Sequence, residues 1–196
     1  MTSLPIRSDT DMAAPQSATL HNLNGRWRMN ASLSDPYDEM LKAQNVGWLW
    51  RKVLVKSGAE LWITHTTDNG VDHLVIHGKS TNGLPDSTED RIVNGTWKEL
   101  NFPIFGKIRG STRWVKKGDL SSAWLAEDML LDEAGVILME TIQIETDTVT
   151  KQANGFKMVK GERRYVRHVE VTKKGSNKPI HVTLVYDYLG PLEKSP

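Results

Sequence analysis

Cysteine is missing from the chain. Without it there is no disulfide framework and no thiolate to act as nucleophile or metal ligand. Long apolar runs are missing as well; nothing approaches the ~20 consecutive apolar residues a membrane-spanning helix needs. Excess charge of one sign is also absent, since 25 Lys and Arg stand against 24 Asp and Glu. That balance gives no electrostatic footprint for nucleic acid. No glycine-rich phosphate loop, dinucleotide fingerprint, nucleophile elbow or zinc-protease helix occurs. Any chemistry is therefore expected to be metal-free and cofactor-free: proton shuffling, isomerisation, cyclisation or a pericyclic step steered by shape. Residues 1–20 carry no apolar core of a secretory signal. Their Ser, Thr, Asp, Pro and Ala predict a disordered tail and make the cytosol the expected compartment.

What remains is a chain of 196 residues, long enough for one domain with a real core and short for two. Gly25 to Asn30 alternates Trp27 and Met29 against Arg26 and Arg28, the period of a half-buried strand. A short amphipathic helix is predicted next. Ser34 or Asp35 would cap it, Pro36 would open it, and Tyr37, Met40 and Leu41 would share one face. Val46 to Lys52 reads as a return to extended chain.

Turn signals then recur at Asp68-Asn69-Gly70, Asn82-Gly83, Asn94-Gly95, Lys117-Gly118-Asp119, Ala134-Gly135, Lys160-Gly161 and Lys174-Gly175. Strand-like runs lie between them: Leu61–Thr66, His73–His77, Phe105–Val115, Val136–Ile144, Arg163–Thr172 and Ile180–Tyr188. Asn-Gly and similar turns between β-rich runs are strong hairpin signals. Many hairpins without long helices predict an all-β, up-and-down antiparallel barrel spanning residues 21–190. Residues 191–196 are expected as a C-terminal tail. Ser121–Leu131 reads equally as helix or strand.

Gly25-Arg26-Trp27, Tyr37-Asp38-Glu39-Met40, Val46-Gly47-Trp48, Arg51-Lys52, the Asn69-Gly70 turn and Thr183-Leu184-Val185-Tyr186 resemble the fatty-acid-binding-protein branch of the calycins. The chain is also similar to lipocalin-like proteins of filamentous fungi, some encoded beside secondary-metabolite genes. The resemblance implies a calycin barrel of about ten strands, a short helical lid near the N-terminus and an internal ligand cavity. Fatty-acid binders of that family hold the ligand carboxylate with two Arg and a Tyr. Here the Tyr falls on Tyr186, while Phe156 and Leu184 occupy the two Arg positions. A carboxylate desolvated without charge-assisted bonds costs several kcal/mol.

Strand parity suggests what stands in its place. A two-residue loop at Lys160-Gly161 pairs Phe156 with Tyr165, and paired residues share a face. If Phe156 points inward, as the family register implies, so do Arg163, Tyr165 and Arg167. Arg167 with Tyr165 and Tyr186 could hold an enolate, phenolate or carboxylate. The family register also implies that Trp62, Thr64, His73, Val75 and His77 face inward, with His65 outward. His73 and His77 would be general acids or bases, and Trp50 with Trp62 would stack on a flat ligand. A polar-wall reading of the two His, and a packing reading of each Trp, compete with these roles.

The expected activity is a cofactor-free isomerisation or cyclisation, possibly pericyclic, of a small hydrophobic or conjugated metabolite. The alternative is non-catalytic carriage of a hydrophobic ligand. A weaker alternative is a filled interaction barrel.

Overall fold

The computed structural model describes residues 12–57, 60–79, 86–102 and 104–192. The tail over 1–11, the turn at Asn82-Gly83 and residues 193–196 lie outside them. Ten antiparallel strands run in one sheet, in the order β4-β3-β2-β1-β10-β9-β8-β7-β6-β5. They are β1 (Gly25–Met29), β2 (Glu60–Asp68), β3 (Val71–Lys79), β4 (Ser87–Ile92), β5 (Lys98–Phe102), β6 (Gly106–Val115), β7 (Val136–Gln143), β8 (Val149–Val159), β9 (Glu162–Thr172) and β10 (Ile180–Gly190). Past the end of β4, Val93 bridges Thr112 of β6. That bridge draws the two sheet ends together and nearly closes the barrel. Near-closure leaves few unpaired edges.

Two-residue turns set much of the register. Asp68 pairs with Val71 across Asn69-Gly70, and Val159 pairs with Glu162 across Lys160-Gly161. All four loop residues have positive φ, with Gly at the second position, as a type I′ hairpin requires. On β1 the predicted alternation holds: Trp27 and Met29 are buried and Arg28 is exposed. Trp27 is fully enclosed, donates from Nε1 to Leu23 O at 3.0 Å, and packs edge-on against Tyr188 and tilted against Tyr165.

Two apolar clusters result. One fills the barrel with Trp27, Leu61, Ile63, Leu74, Ile76, Phe156, Tyr165 and Tyr186. The other lies on the outside of β7–β10, where Val136, Leu138, Ala153, Val166 and Val185 are covered by Leu125, Ala126 and Met129. The covering segment is neither a full helix nor a strand; it carries 3-10 turns at Lys117–Asp119 and Ala123–Ala126. Met129 packs directly over Gly155, where an added Cβ would push its side chain aside.

Three expectations are corrected. Residues 12–20 are not loose: Ala14, Ala18 and Leu20 are buried in the barrel cluster, and Arg163 donates to Pro15 O and Ala18 O. Ser34 and Asp35 do not cap α1 (Asp38–Ala43), whose N-cap is Tyr37. Their oxygens instead accept Val185 N and Thr183 N of β10 at 2.9 and 2.8 Å. Val46–Lys52 is not extended throughout, since α2 covers Trp48–Ser57. Its Leu, Arg and Lys residues are good helix formers, and the segment has no period-2 alternation to hold it as a strand.

A buried polar cluster inside the barrel

The β8–β9 hairpin brings Phe156 opposite Tyr165 and Asn154 opposite Arg167. β10 brings Tyr186 opposite Tyr165 and Leu184 opposite Arg167. Paired side chains share a face, so these six converge on the interior. All six are buried. Arg167 donates from Nε to Tyr165 Oη at 3.1 Å, and Tyr165 donates to Asn154 Oδ1 at 2.6 Å. Asn154 in turn donates to Ile137 O at 2.9 Å. The chain of donors therefore runs one way and locks each ring and amide. The Arg167 guanidinium also lies 5.2 Å from the Tyr186 ring centroid.

Arg167 is the anomaly. Its Nη2 is buried with no hydrogen-bond partner, and no carboxylate among the described residues forms an ion pair with it. Burial works against its charge, yet the phenols of Tyr165 and Tyr186 and the Glu89 carboxylate outweigh burial and raise its proton affinity. It therefore stays cationic at any working pH. A buried donor left empty costs roughly 1–3 kcal/mol, more when charged. Burial pushes the Tyr186 phenol up, against the pull of Arg167. Tyr37, from the start of α1, bonds Leu54 O at 2.8 Å; burial and nearby Tyr186 push its phenol up to about 12.

The β2–β3 hairpin is placed otherwise. Trp62 pairs with His77, Thr64 with Val75 and Thr66 with His73, so they do share a face. That face is the outer one. Leu61, Ile63, His65, Asp72, Leu74 and Ile76 are the buried set. The expected inward placement of Trp62, Thr64, His73, Val75 and His77 is therefore corrected by one residue, which flips every side chain. His73 Nε2 sits 2.5 Å from Asp90 Oδ1, and His77 Nδ1 sits 3.0 Å from Thr88 Oγ1. Trp62 is flanked by Lys79, whose Nζ is 4.0 Å from the ring centroid. Trp50 is 40% exposed on α2 and lines no interior surface.

Sequence reasoning missed four inward charged or titratable groups. Glu89 pairs with Ile76 and Arg91 with Leu74, which turns both inward. Arg91 donates from Nε and Nη2 to Glu89 Oε2 at 3.0 and 2.7 Å. At the other end, His65 accepts Leu23 N on Nδ1 at 3.3 Å and points Nε2 at Asp72 Oδ1, 3.4 Å away. Burial lowers the His65 pKa despite that carboxylate. Burial also works against the Asp72 charge, but bonds from Thr67, Trp114 and His65 hold its carboxyl below the usual range. The available signal was the aliphatic alternation Leu61-Ile63 and Leu74-Ile76. Among the described residues, no group of three or more His, Asp or Glu is arranged to hold a metal ion. No helix among them is long and apolar enough to cross a membrane.

No family model matches the chain. The fold is shared with fatty-acid-binding barrels. Echinococcus granulosus fatty-acid-binding protein 1 superimposes with a TM-score of 0.53 over 86% of this chain and 98% of that one, at 15% identity. Two curated fungal proteins are similar end to end. Pericyclase pydY of an Acremonium species is 33% identical over 92% of this chain and 98% of its own length. The probable pericyclase scpY of Mollisia scopiformis is 38% identical over 91% of this chain and 96% of its own. A ten-stranded antiparallel barrel with full-length similarity to both proteins, this chain belongs to their fungal pericyclase family.

Proposed function

We propose that the chain catalyses a pericyclic ring closure of a hydrophobic, conjugated metabolite held inside the barrel, in cytosolic secondary metabolism. The observation that carries this reading is the empty Nη2 of Arg167. A ligand carbonyl or enolate oxygen is the partner it lacks. An oxygen conjugated to the reacting π system and bonded there loses electron density, which lowers the barrier to ring closure. The donor is fixed beforehand, because Nε is tied to Tyr165 and Tyr165 to Asn154. A preorganised donor in a water-poor site stabilises developing charge without reorganisation. Phe156, Leu184 and Met29 supply apolar walls that fold the chain into one reactive conformer. Tyr186 completes the oxygen pole.

The fatty-acid-binding fold favours carriage as a second reading. Deleting the gene in its producing fungus separates the two. Ring closure predicts accumulation of an uncyclised, conjugated precursor that purified protein converts, with loss of its ultraviolet absorbance. Arg167→Met should slow that conversion by about 10²–10³-fold, the usual loss for one preorganised donor. Unchanged product at lower titre, or full activity in Arg167→Met, would overturn the proposal.

A further inference from the structure

The inner wall of β6–β8 carries a strip of hydroxyls, met by one amide, that the ring-closure reading leaves unused. Thr112 pairs with Met139 and Gly110 with Thr141, so Thr112 and Thr141 are diagonal neighbours on one face. Thr141 in turn pairs with Thr150 of β8. The face is the inner one, because Met139 and Val171, the partner of Thr150 on β9, belong to the barrel cluster. Gln44 closes the C-terminus of α1 and donates from Nε2 to Thr150 Oγ1 at 3.0 Å. Its main chain is fixed there as well, since Gln143 Nε2 donates to Gln44 O at 2.6 Å. Arg91 borders the strip at Gly110, with its charge already answered by Glu89.

Two atoms of this strip are unsatisfied. Gln44 Oε1 and Thr112 Oγ1 are buried, and among the described residues neither has a hydrogen-bond partner. Turning the Gln44 amide over does not remove the problem: Thr150 then meets the oxygen, and the nitrogen is left over. Thr112 is 2% exposed, so bulk water does not serve its hydroxyl. Buried polar atoms without partners are costly, and here the cost falls on a cavity wall that a ligand can reach.

We infer that this strip is a second polar subsite of the reaction cavity. It takes a neutral group at the end of the substrate remote from the oxygen held by Arg167. A hydroxyl or an amide fits, since each both donates and accepts. Thr150 lies four residues along β8 from Asn154, the partner of Arg167, which sets the two poles about 13 Å apart at about 3.3 Å per residue. The inference rests on the ring-closure reading for the first oxygen and deepens it. The substrate is a conjugated chain with a polar group at each end, and the second group fixes how far the chain slides past Arg167.

The test uses the full-length protein and a neutral dye, N-phenyl-1-naphthylamine, displaced by decanamide, ω-hydroxydecanamide or 5-hydroxydecanamide. All three offer an amide carbonyl to Arg167. The terminal hydroxyl reaches the strip, whereas the mid-chain hydroxyl meets apolar wall. Wild type should need decanamide and ω-hydroxydecanamide at concentrations within about threefold of each other, and about tenfold more 5-hydroxydecanamide, the penalty for burying an unpaired hydroxyl. Gln44→Leu and Thr112→Val should each raise the requirement for ω-hydroxydecanamide several-fold, and together about tenfold, with decanamide unchanged. Thr112→Val keeps the shape and deletes an unpaired hydroxyl, so its melting temperature should not fall and a shifted ratio is not a folding effect. A tenfold penalty for the terminal hydroxyl in wild type, or an unchanged ratio in the double variant, overturns the inference and leaves the ring-closure reading standing. Failure of all three amides to displace bound dye overturns the occupied-barrel reading, and the inference with it.

Discussion

The β2–β3 and β8–β9 hairpins are built alike and carry opposite lessons. Each turns through two positive-φ residues ending in Gly. Each keeps an unbroken antiparallel register over nine or eleven pairs. In β8–β9 the inner face carries Arg163, Tyr165 and Arg167, so polar groups meet inside the barrel. In β2–β3 the polar and aromatic set Trp62, Thr64, His73 and His77 faces solvent, and aliphatic residues fill the interior. A turn fixes which residues pair; it does not fix which face is buried. Burial is decided by what lies behind each face. Outside β8–β9 the segment around Trp124 covers Val166 and Ala153, so both faces of that hairpin are dry, and the polar groups it buries are tolerated because they bond one another. Among the described residues no such cover lies on the outer face of β2–β3, and its apolar residues turn in.

The strongest test of this difference is a pair of truncations on β3. Leu74 is fully buried and pairs with His65 inside; Val75 points out and pairs with Thr64. Leu74→Ala should cost about 2–5 kcal/mol in urea unfolding, the range for a buried leucine. Val75→Ala should cost well under ~1 kcal/mol, since a half-exposed position collapses without a cavity. Equal costs would mean that the two faces are not distinguished as described.

A smaller effect concerns the polar groups that β2–β3 does bury. His65 is neutral when folded, because burial lowers its pKa below the ordinary 6.5. Outside the barrel, burial also lowers the pKa of His168, whose Nδ1 donates to Trp124 O at 2.9 Å. In the unfolded chain both titrate normally. As pH falls through 6.5 the unfolded state therefore takes up protons that the folded state refuses, and stability falls toward the folded pKa values. The melting temperature should drop between pH 7.5 and 5.5, and His65→Gln should flatten that slope. A pH-independent melting temperature in wild type would contradict the buried, neutral assignment.

Much of the fold was legible because turns and β1 alternation are local signals. Glycine at Gly70 and Gly161 announced both hairpins, and Trp27 announced its own burial. The lost parts share a physical cause. β4 and β5 are short, polar edge strands with little apolar alternation, so Glu89 and Arg91 had no strand to be assigned to. The outer cover at Lys117–Met129 forms no regular element; its role depends on contacts with β8–β10. α2 exposes Trp48, Leu49 and Trp50, so an aromatic run that suggested a ligand wall lies on the surface. The interior cluster was reachable only through the Lys160-Gly161 register. That register tied Tyr165 and Arg167 to Phe156, whose inward face came from the family pattern.

The smallest expected effects fall on the two histidines that the family register had turned inward. His73 sits against Asp90 and His77 against Thr88, both on the outer wall. An exposed His–Asp contact contributes about 0–1 kcal/mol, because water competes for both partners and salt screens them. Neither imidazole reaches the interior donors, so neither can move a proton on a ligand bound at Arg167. His73→Ala and His77→Ala should each leave turnover within about twofold of wild type and stability within ~0.5 kcal/mol. A larger loss of turnover in either, with melting unchanged, would place the reacting ligand on the outer face of β2–β3. The comparison of the two hairpins would then be reversed: the solvent-facing wall would hold the chemistry, and the buried guanidinium would be a structural cation.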